Sequence, residues 1–341
     1  MPFILFGLIL AGFGFFIYFM KKTNKPAPTT TVQAAKPESL SEFQGLKEPV
    51  KGKAVYPNGD PKKTAIIVGI NKCSPYVYQG SDLRLRGCVN DAASIRAFLV
   101  QKGFGTVYYL TDETATIGNF LKVWKEVVSS AKDGDTLFLS MSRHGMSLGR
   151  DYLDKDTETQ GRNPEDGTYY QGDQGAVMHD GVIVDDCFWR LFLDLPKVKL
   201  VYWNDSCHSA TQYRVANILN PSKQGAYSAI PRSVGDEYAP ERNRFLLLTK
   251  LEAAFGKPKN NELQCSLVSL AGCQDVEYSA DAYINRKFQG AFTWAGLSVL
   301  SANPKINPKD FGKEVSKLLK TRGYTQNPQV NTEGDQTHSI L

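Results

Sequence analysis

Thr64-Ala-Ile-Ile-Val-Gly-Ile70 is a short, almost wholly apolar run closed by Asn71. A strand with one wet face alternates apolar and polar residues, whereas a run apolar at nearly every position belongs to a strand buried on both faces, as in a parallel sheet covered by helices. Outward from this run the chain alternates between two periods. Asn90 or Asp91 is expected to cap a helix in which Ile95, Phe98 and Leu99 share a face and which Gly103 stops. Thr106–Leu110 reads as a second strand, and Ile117, Leu121, Trp124 and Val128, at spacings of four, three and four, mark a second helix. Asp135–Ser140, Val198–Trp203 and Leu267–Ala271 read as further strands, with helices over Cys187–Leu195, near Ala291–Leu300 and over Pro308–Leu319. Alternation of this kind predicts an α/β fold with a mainly parallel sheet and helices on both faces. Two stretches break the rhythm and read as long loops: Gly149–Asp180, rich in Gly and Asp, and Gln212–Asn261, polar apart from Phe245-Leu-Leu-Leu248.

Composition agrees with a folded core. The 341 residues are 42% hydrophobic and 22% charged, enough apolar surface to offset chain entropy, which excludes a disordered protein. The 40 Lys and Arg against 35 Asp and Glu form no basic block, so nucleic acid is not an expected partner. Six cysteines without a Cys-x-x-Cys pair suit neither a disulfide scaffold nor structural zinc, and the thiols are expected free. Phe3–Met20 carries no charged side chain, and as a helix it would be about 27 Å long, close to the ~30 Å hydrocarbon core of a bilayer. No basic residue precedes it and no Ala-x-Ala site follows, so it reads as a single-pass membrane anchor over residues 1–22 rather than a cleaved signal. Lys21, Lys22 and Lys25 follow directly, which by the positive-inside rule puts the remainder in the cytoplasm. Residues 23–60, rich in Pro, Thr, Ala, Lys and Glu, read as a tether, 61–330 as the folded domain and 331–341 as a tail.

In open parallel sheets, ligands bind beyond the carboxyl ends of the strands, where several loops converge. The third strand runs into Ser142-Arg-His144-Gly145, and the fourth into Asn204-Asp-Ser-Cys207-His-Ser209. A thiol attacks as thiolate, and an imidazole supplies the base or the charge that makes it one. His144 and Cys207, at the ends of adjacent strands, can meet in this way. His208 is adjacent to Cys207, and on an extended chain neighbours point to opposite faces, which disfavours it as the base. Cys73, Cys187, Cys265 and Cys273 read as small buried hydrophobes, and His179 and His338 as solvated.

Several of these segments are shared motifs. Ala65-Ile-Ile-Val-Gly-Ile-Asn71, Leu85-Arg-Gly-Cys-Val-Asn-Asp91, Gly134-Asp-Thr-Leu-Phe138, Ser142-Arg-His-Gly145, Asp185-Asp186, Asp205-Ser-Cys-His-Ser209, Gly272-Cys-Gln-Asp275 with Ser279-Ala-Asp281, Gly290-Ala-Phe-Thr293 and Gly323-Tyr-Thr-Gln-Asn-Pro328 occur in order. Over residues 64–330 the chain resembles the metacaspases. That resemblance implies a three-layer, caspase-like α/β fold and a cysteine endopeptidase, with Cys207 as nucleophile, His144 as general base and acid, and the backbone N–H groups of Gly145 and Cys207 as oxyanion hole. It places Cys88, Asp91, Ser142 and Asp205 around the residue before the scissile bond, which the resemblance makes Arg or Lys. Charge agrees, since two carboxylates attract a guanidinium or ammonium and repel an Asp side chain. Protein or peptide substrates with basic residues are therefore the expected partners of a monomeric chain. The chemistry requires no cofactor, and calcium is the activator that the resemblance suggests, with Asp185 and Asp186 matching two of its ligands and Asp166 loosely a third. Departures from the pattern are Arg143 before the His and Ala210 after the Cys, each where a Gly is usual, and Arg214 where an Asp is usual. The alternative is a catalytically silent caspase-like scaffold at a membrane, which requires a lost Cys or His, and both are present.

Overall fold

The apolar run Thr64–Ile70 supplies the buried half of an inner strand, Asp60–Gly69, of a seven-stranded sheet. The computed structural model describes residues 52–147, 161–162, 169–170, 174–206, 230–234, 238–273, 279–334 and 339–341. The strands of the main sheet are β1 (Lys53–Val55), β2 (Asp60–Gly69), β3 (Phe104–Thr111), β4 (Thr136–Ser142), β5 (Lys199–Asp205), β6 (Ser266–Ala271) and β7 (Gln329–Glu333). They lie in the order β1-β3-β2-β4-β5-β6-β7. The five inner strands, β3 to β6 in that order, are all parallel, and β1 and β7 close the edges antiparallel. The five inner strands are the five apolar runs read from the sequence.

Alternation along each strand sends side chains to two separate cores. Ile66, Val68, Leu137 and Leu139 face a cluster with Phe120 and Trp124 of α2 (Ile117–Ser130), Phe188 and Leu191 of α3 (Asp186–Phe192) and Leu251 of α4 (Leu248–Phe255). Ala65, Ile67, Phe138 and Trp203 face a second cluster with Ile95 and Leu99 of α1 (Cys88–Gln101), Phe292 of α5 (Ala291–Ala302) and Phe311 and Val315 of α6 (Pro308–Thr321). Three layers result, as expected. Two helices start on side-chain caps: Thr116 accepts from the Asn119 N–H, and Asn307, followed by Pro308, accepts from the Asp310 N–H.

Four expectations need correction. Neither Asn90 nor Asp91 caps α1, which begins at Cys88 after Gly87 with no side-chain cap bond. A Cβ on Gly87 would stand 2.1 Å from Asp281 Oδ1 and 2.7 Å from the Gln289 Cα, so the helix start is fixed by close packing. The tether and the tail contribute edge strands, β1 and part of β7, and Ile340 is fully buried. The stretch Gly149–Asp180 is not loop throughout, since Gln174–Met178 pairs antiparallel with both Gly145–Ser147 and Gly181–Val184 in a small second sheet. Within Gln212–Asn261, Phe245–Leu246 joins that sheet and α4 follows, both anchored by the apolar patch Phe245–Leu248 and by Leu251. The anchor residues 1–22 lie outside the described residues, among which no helix is long and apolar enough to cross a membrane.

Candidate active site

β4 and β5 end side by side, with Ser142 opposite Asp205 in the parallel register, and α1 brings Asp91 alongside. Ser142 Oγ donates to Asp91 Oδ2 at 2.7 Å. The start of α5 faces the same point: Gly290 N–H donates to Asp91 at 2.8 Å, and Thr293 donates to Asp205 Oδ2 through its N–H at 3.0 Å and its hydroxyl at 2.6 Å. The exposed N–H groups of a helix start favour carboxylates there. A Cβ on Gly290 would fall 2.1 Å from Asp205 Oδ2, so the approach of α5 to the carboxylates requires glycine at that position. Ser279 Oγ donates to Asp205 Oδ1 at 2.5 Å, and the Arg86 N–H donates to Asp281 Oδ2 at 2.8 Å.

Three carboxylates, those of Asp91, Asp205 and Asp281, surround the guanidinium of Arg232, at 2.6, 3.2 and 3.2 Å, and all four side chains are fully buried. Arg232 Nη1 also donates to Ser142 Oγ at 2.8 Å and to the Asp205 carbonyl at 3.0 Å. Burial and the neighbouring Asp205 push Asp91 up, to about 6, against the opposing pull of Arg232. Cys88, buried in the same wall, is held as a thiol because burial pushes its pKa well up. The backbone of Arg232 is held as well. Its carbonyl oxygen accepts from the Gly145 N–H at 2.9 Å, and its own N–H donates to the Ser279 carbonyl at 3.2 Å. Ile230 and Pro231 pair antiparallel with Asp281 and Ala280, and Ser233 and Val234 pair in parallel with Gly145 and Met146.

His144 is buried beside this pocket, its Nε2 at 3.0 Å from the Leu83 carbonyl oxygen. A carbonyl only accepts, so Nε2 carries the proton, and Nδ1, which has no hydrogen-bond partner among the described residues, keeps its lone pair. Burial lowers the His144 pKa to about 4, against the Leu83 carbonyl, so the ring is neutral near pH 7. Arg143, expected beside the cleft, instead turns inward: it is buried and donates from Nη1 to the His144 carbonyl at 2.9 Å and to Ser206 Oγ at 3.4 Å, tying the two strand ends together.

The sequence reading named Asp91, Ser142, Asp205, Cys88, His144 and Gly145, and the structure brings all six to one end of the sheet. Cys207, with His208, Ala210, Arg214 and Asp166, lies outside the described residues. Asp281, Ser279 and Thr293 were given no role, although they sit within the quoted motifs. In the sequence Arg232 stands out only as one basic residue of the long loop Gln212–Asn261, with nothing that ties it to the pocket. Asp185 and Asp186 do not reach the pocket carboxylates' situation. Asp185 is exposed and accepts from the Gln174 N–H at 3.1 Å, and no group of three His, Cys, Asp or Glu among the described residues can hold a metal ion.

Residues 62–336 match the family described as Caspase domain, and the chain belongs to that family. Within it the chain is similar to the metacaspases. It is 27% identical over 306 residues to Metacaspase-1A of Neurospora crassa, covering 81% of this chain and 64% of that one. It is 28% identical over 313 residues to Metacaspase-1 of Candida albicans, covering 81% and 66%. The chain thus spans about two thirds of the length of these relatives. A crystal structure of a Geobacter sulfurreducens protein shares the fold at a TM-score of 0.57 and 24% identity, over 80% of this chain and 94% of that one.

Proposed function

We propose that the chain is a cysteine endopeptidase that cleaves after Arg or Lys. The observation that carries this reading is the fully buried set Asp91, Asp205 and Asp281 closing on a guanidinium next to His144. A buried cation costs several kcal/mol in lost hydration, and carboxylates held by neighbouring N–H and O–H donors offset that cost. An Asp side chain in the same place would meet only like charge.

The chemistry follows from the state of His144. Its unpartnered Nδ1 takes the proton of the Cys207 thiol, and the thiolate attacks the substrate carbonyl carbon. The oxygen that gains charge is received by the Gly145 N–H, with the Cys207 N–H as second donor, an arrangement typically worth several kcal/mol at the transition state. His144 returns the proton to the departing amine, and water then hydrolyses the thioester with the same residue as base. Calcium, if it acts as an activator, would draw on Asp185 and Asp186, with Asp166, outside the described residues, as a candidate third ligand, while the peptide-bond chemistry itself is carried by His144 and Cys207.

Assay of the purified chain on peptides differing only before the scissile bond tests the specificity. Cleavage after Arg and Lys is expected, and efficient cleavage after Asp would overturn the reading. The apolar run Phe3–Met20 supports a membrane-held enzyme with its catalytic domain in the cytoplasm. Fractionation with protease protection checks that location, and a soluble, N-terminally trimmed product would refute it.

A further inference from the structure

The carbonyl of His144 and the N–H of Gly145 belong to one peptide unit, and in a planar trans peptide the two point in opposite directions. The N–H lies on the pocket side, where it donates to the Arg232 carbonyl oxygen at 2.9 Å. The carbonyl points away from the pocket and accepts from Arg143 Nη1 at 2.9 Å. The same Nη1 lies 3.4 Å from Ser206 Oγ, which in turn donates to Asn204 Oδ1 at 2.7 Å near the end of β5. The Arg143 guanidinium is buried, and its Nε has no hydrogen-bond partner among the described residues. Burying a cation is costly, and a carbonyl and a hydroxyl do not cancel its charge as the three carboxylates cancel that of Arg232. Nor does the His144 carbonyl depend on Arg143 for a partner, because the Val177 N–H donates to the same oxygen at 3.2 Å. An uncharged side chain of similar length meets a packing role at lower cost, so the charge calls for another purpose.

We propose that Arg143 is a positioning residue for the oxyanion site: it holds and polarises the 144–145 peptide, so that the Gly145 N–H becomes a stronger and fixed donor. This rests on the reading of that N–H as the group that receives charge from the substrate carbonyl. Hydrogen bonds in series polarise one another, and a cation on the carbonyl oxygen draws electron density from the amide nitrogen and makes its N–H a better donor. The bond also fixes the peptide plane, and a donor already aimed needs no reorganisation when the charge develops. A substrate carbonyl gains its full charge only on attack, so the benefit falls on the transition state and shows in kcat rather than KM. Glycine, usual at this position of the motif, supplies no such donor, so the device comes from this chain's own departure from the pattern.

The test compares the purified full chain with Arg143→Met, which keeps the length and removes the charge, and with Arg143→Lys, which restores a charged donor. On arginyl peptides, Arg143→Met is expected to lose about 10-fold in kcat with KM within about twofold, less than the roughly 100-fold or more that follows outright removal of an oxyanion donor. Arg143→Lys is expected to recover most of that loss. An arginyl aldehyde, whose adduct places an oxyanion in this site, should bind Arg143→Met about 10-fold more weakly, while an unreactive arginyl amide inhibits both proteins alike. A role in packing alone shifts both inhibitors or neither. Should Arg143→Met melt below the assay temperature, Arg143→Gly, the residue usual in the motif, takes its place with the same expected loss. Wild-type kcat in the uncharged variant, a loss carried by KM, or equal weakening of aldehyde and amide would overturn the proposal and leave the peptidase reading standing. A wild-type chain that neither cleaves arginyl peptides nor binds the aldehyde would bring down both.

Discussion

Asp91 and Asp205 come from α1 and the end of β5, far apart in the chain, and are fully buried on one guanidinium; Asp185 and Asp186, adjacent at the start of α3, are exposed and half-buried. Both pairs stood out in the sequence as acidic motifs. The first is assembled by the sheet, because parallel strands deliver their last residues to one edge and helix starts face them. The second pair is adjacent in the chain at the start of a helix, where successive side chains diverge by about 100°. Desolvation is the other difference. Burial raises the pKa of Asp91 and strengthens its hold on a cation, whereas an exposed carboxylate is screened by solvent.

The contrast has functional meaning only if chemistry happens at the buried end, and the largest expected effect tests that directly. His144→Ala and Cys207→Ala should each reduce kcat/KM on arginyl peptides by at least about 1000-fold, since nucleophile and base act as a unit. Circular dichroism melts should show both variants folded. Wild-type turnover in either would reduce the carboxylate cluster to a buried ion pair without catalytic purpose. Next in size is the pocket itself. Asp205→Asn should lower kcat/KM on the same peptides by roughly 100-fold, about 3 kcal/mol, as when one partner of a buried charge pair is removed. Its melting temperature should fall as well, because Arg232 then keeps fewer anionic partners at full burial. An Asp205→Asn enzyme with unchanged kcat/KM would break the assignment of the pocket.

What the sequence revealed and what it concealed divide along the same physical line. The five inner strands were legible because burial on both faces leaves an apolar run such as Leu137-Phe-Leu139 that no half-exposed element imitates. β1 is three residues long, and β7, Gln-Val-Asn-Thr-Glu, is an edge strand without a buried residue, so neither leaves such a trace. His144, Asp91 and Asp205 were legible as motif positions. Asp281 was visible but unassigned, because nothing local says that β-pairing carries it to the pocket. Arg232 is one of several basic residues in a polar stretch, and only the register of Ile230 on Asp281 and Ser233 on Gly145 distinguishes it.

Protonation sharpens the comparison with a smaller effect. The acid limb of kcat/KM should lie near pH 6 and belong to Asp91, because below that pH its carboxyl is neutral and attracts a substrate cation less. His144, lowered to about 4, is neutral across that limb and does not cause it. Asp91→Asn should therefore lower the plateau and abolish the limb; a limb that persists in the variant would return it to the histidine. Stability also falls on the acid side, through His144. Its folded pKa lies below the unfolded value of about 6.5, so the stability present above 6.5 is lost as pH falls toward 4, by about 3 kcal/mol in total. His144→Ala should therefore lose less stability than wild type between pH 7 and pH 4.5, measured by urea unfolding. An equal loss in both proteins would show that the ring is not held neutral by burial.

The smallest effect is expected at the second pair. Asp185→Asn combined with Asp186→Asn changes two side chains outside the cation pocket, one of them exposed, and α3 keeps its buried Phe188 and Leu191. With calcium chelated, kcat/KM of the double variant on arginyl peptides should stay within about twofold of wild type, the scale of a substitution away from buried charge. Millimolar calcium provides the second arm, since a site with few charged ligands binds it weakly. If calcium stimulates the wild type through these residues, that stimulation should disappear in the double variant while the chelated rate remains. A double variant as inactive in chelator as Asp205→Asn would erase the distinction between the two regions, because it would mean that Asp185 and Asp186 support the pocket even without a metal.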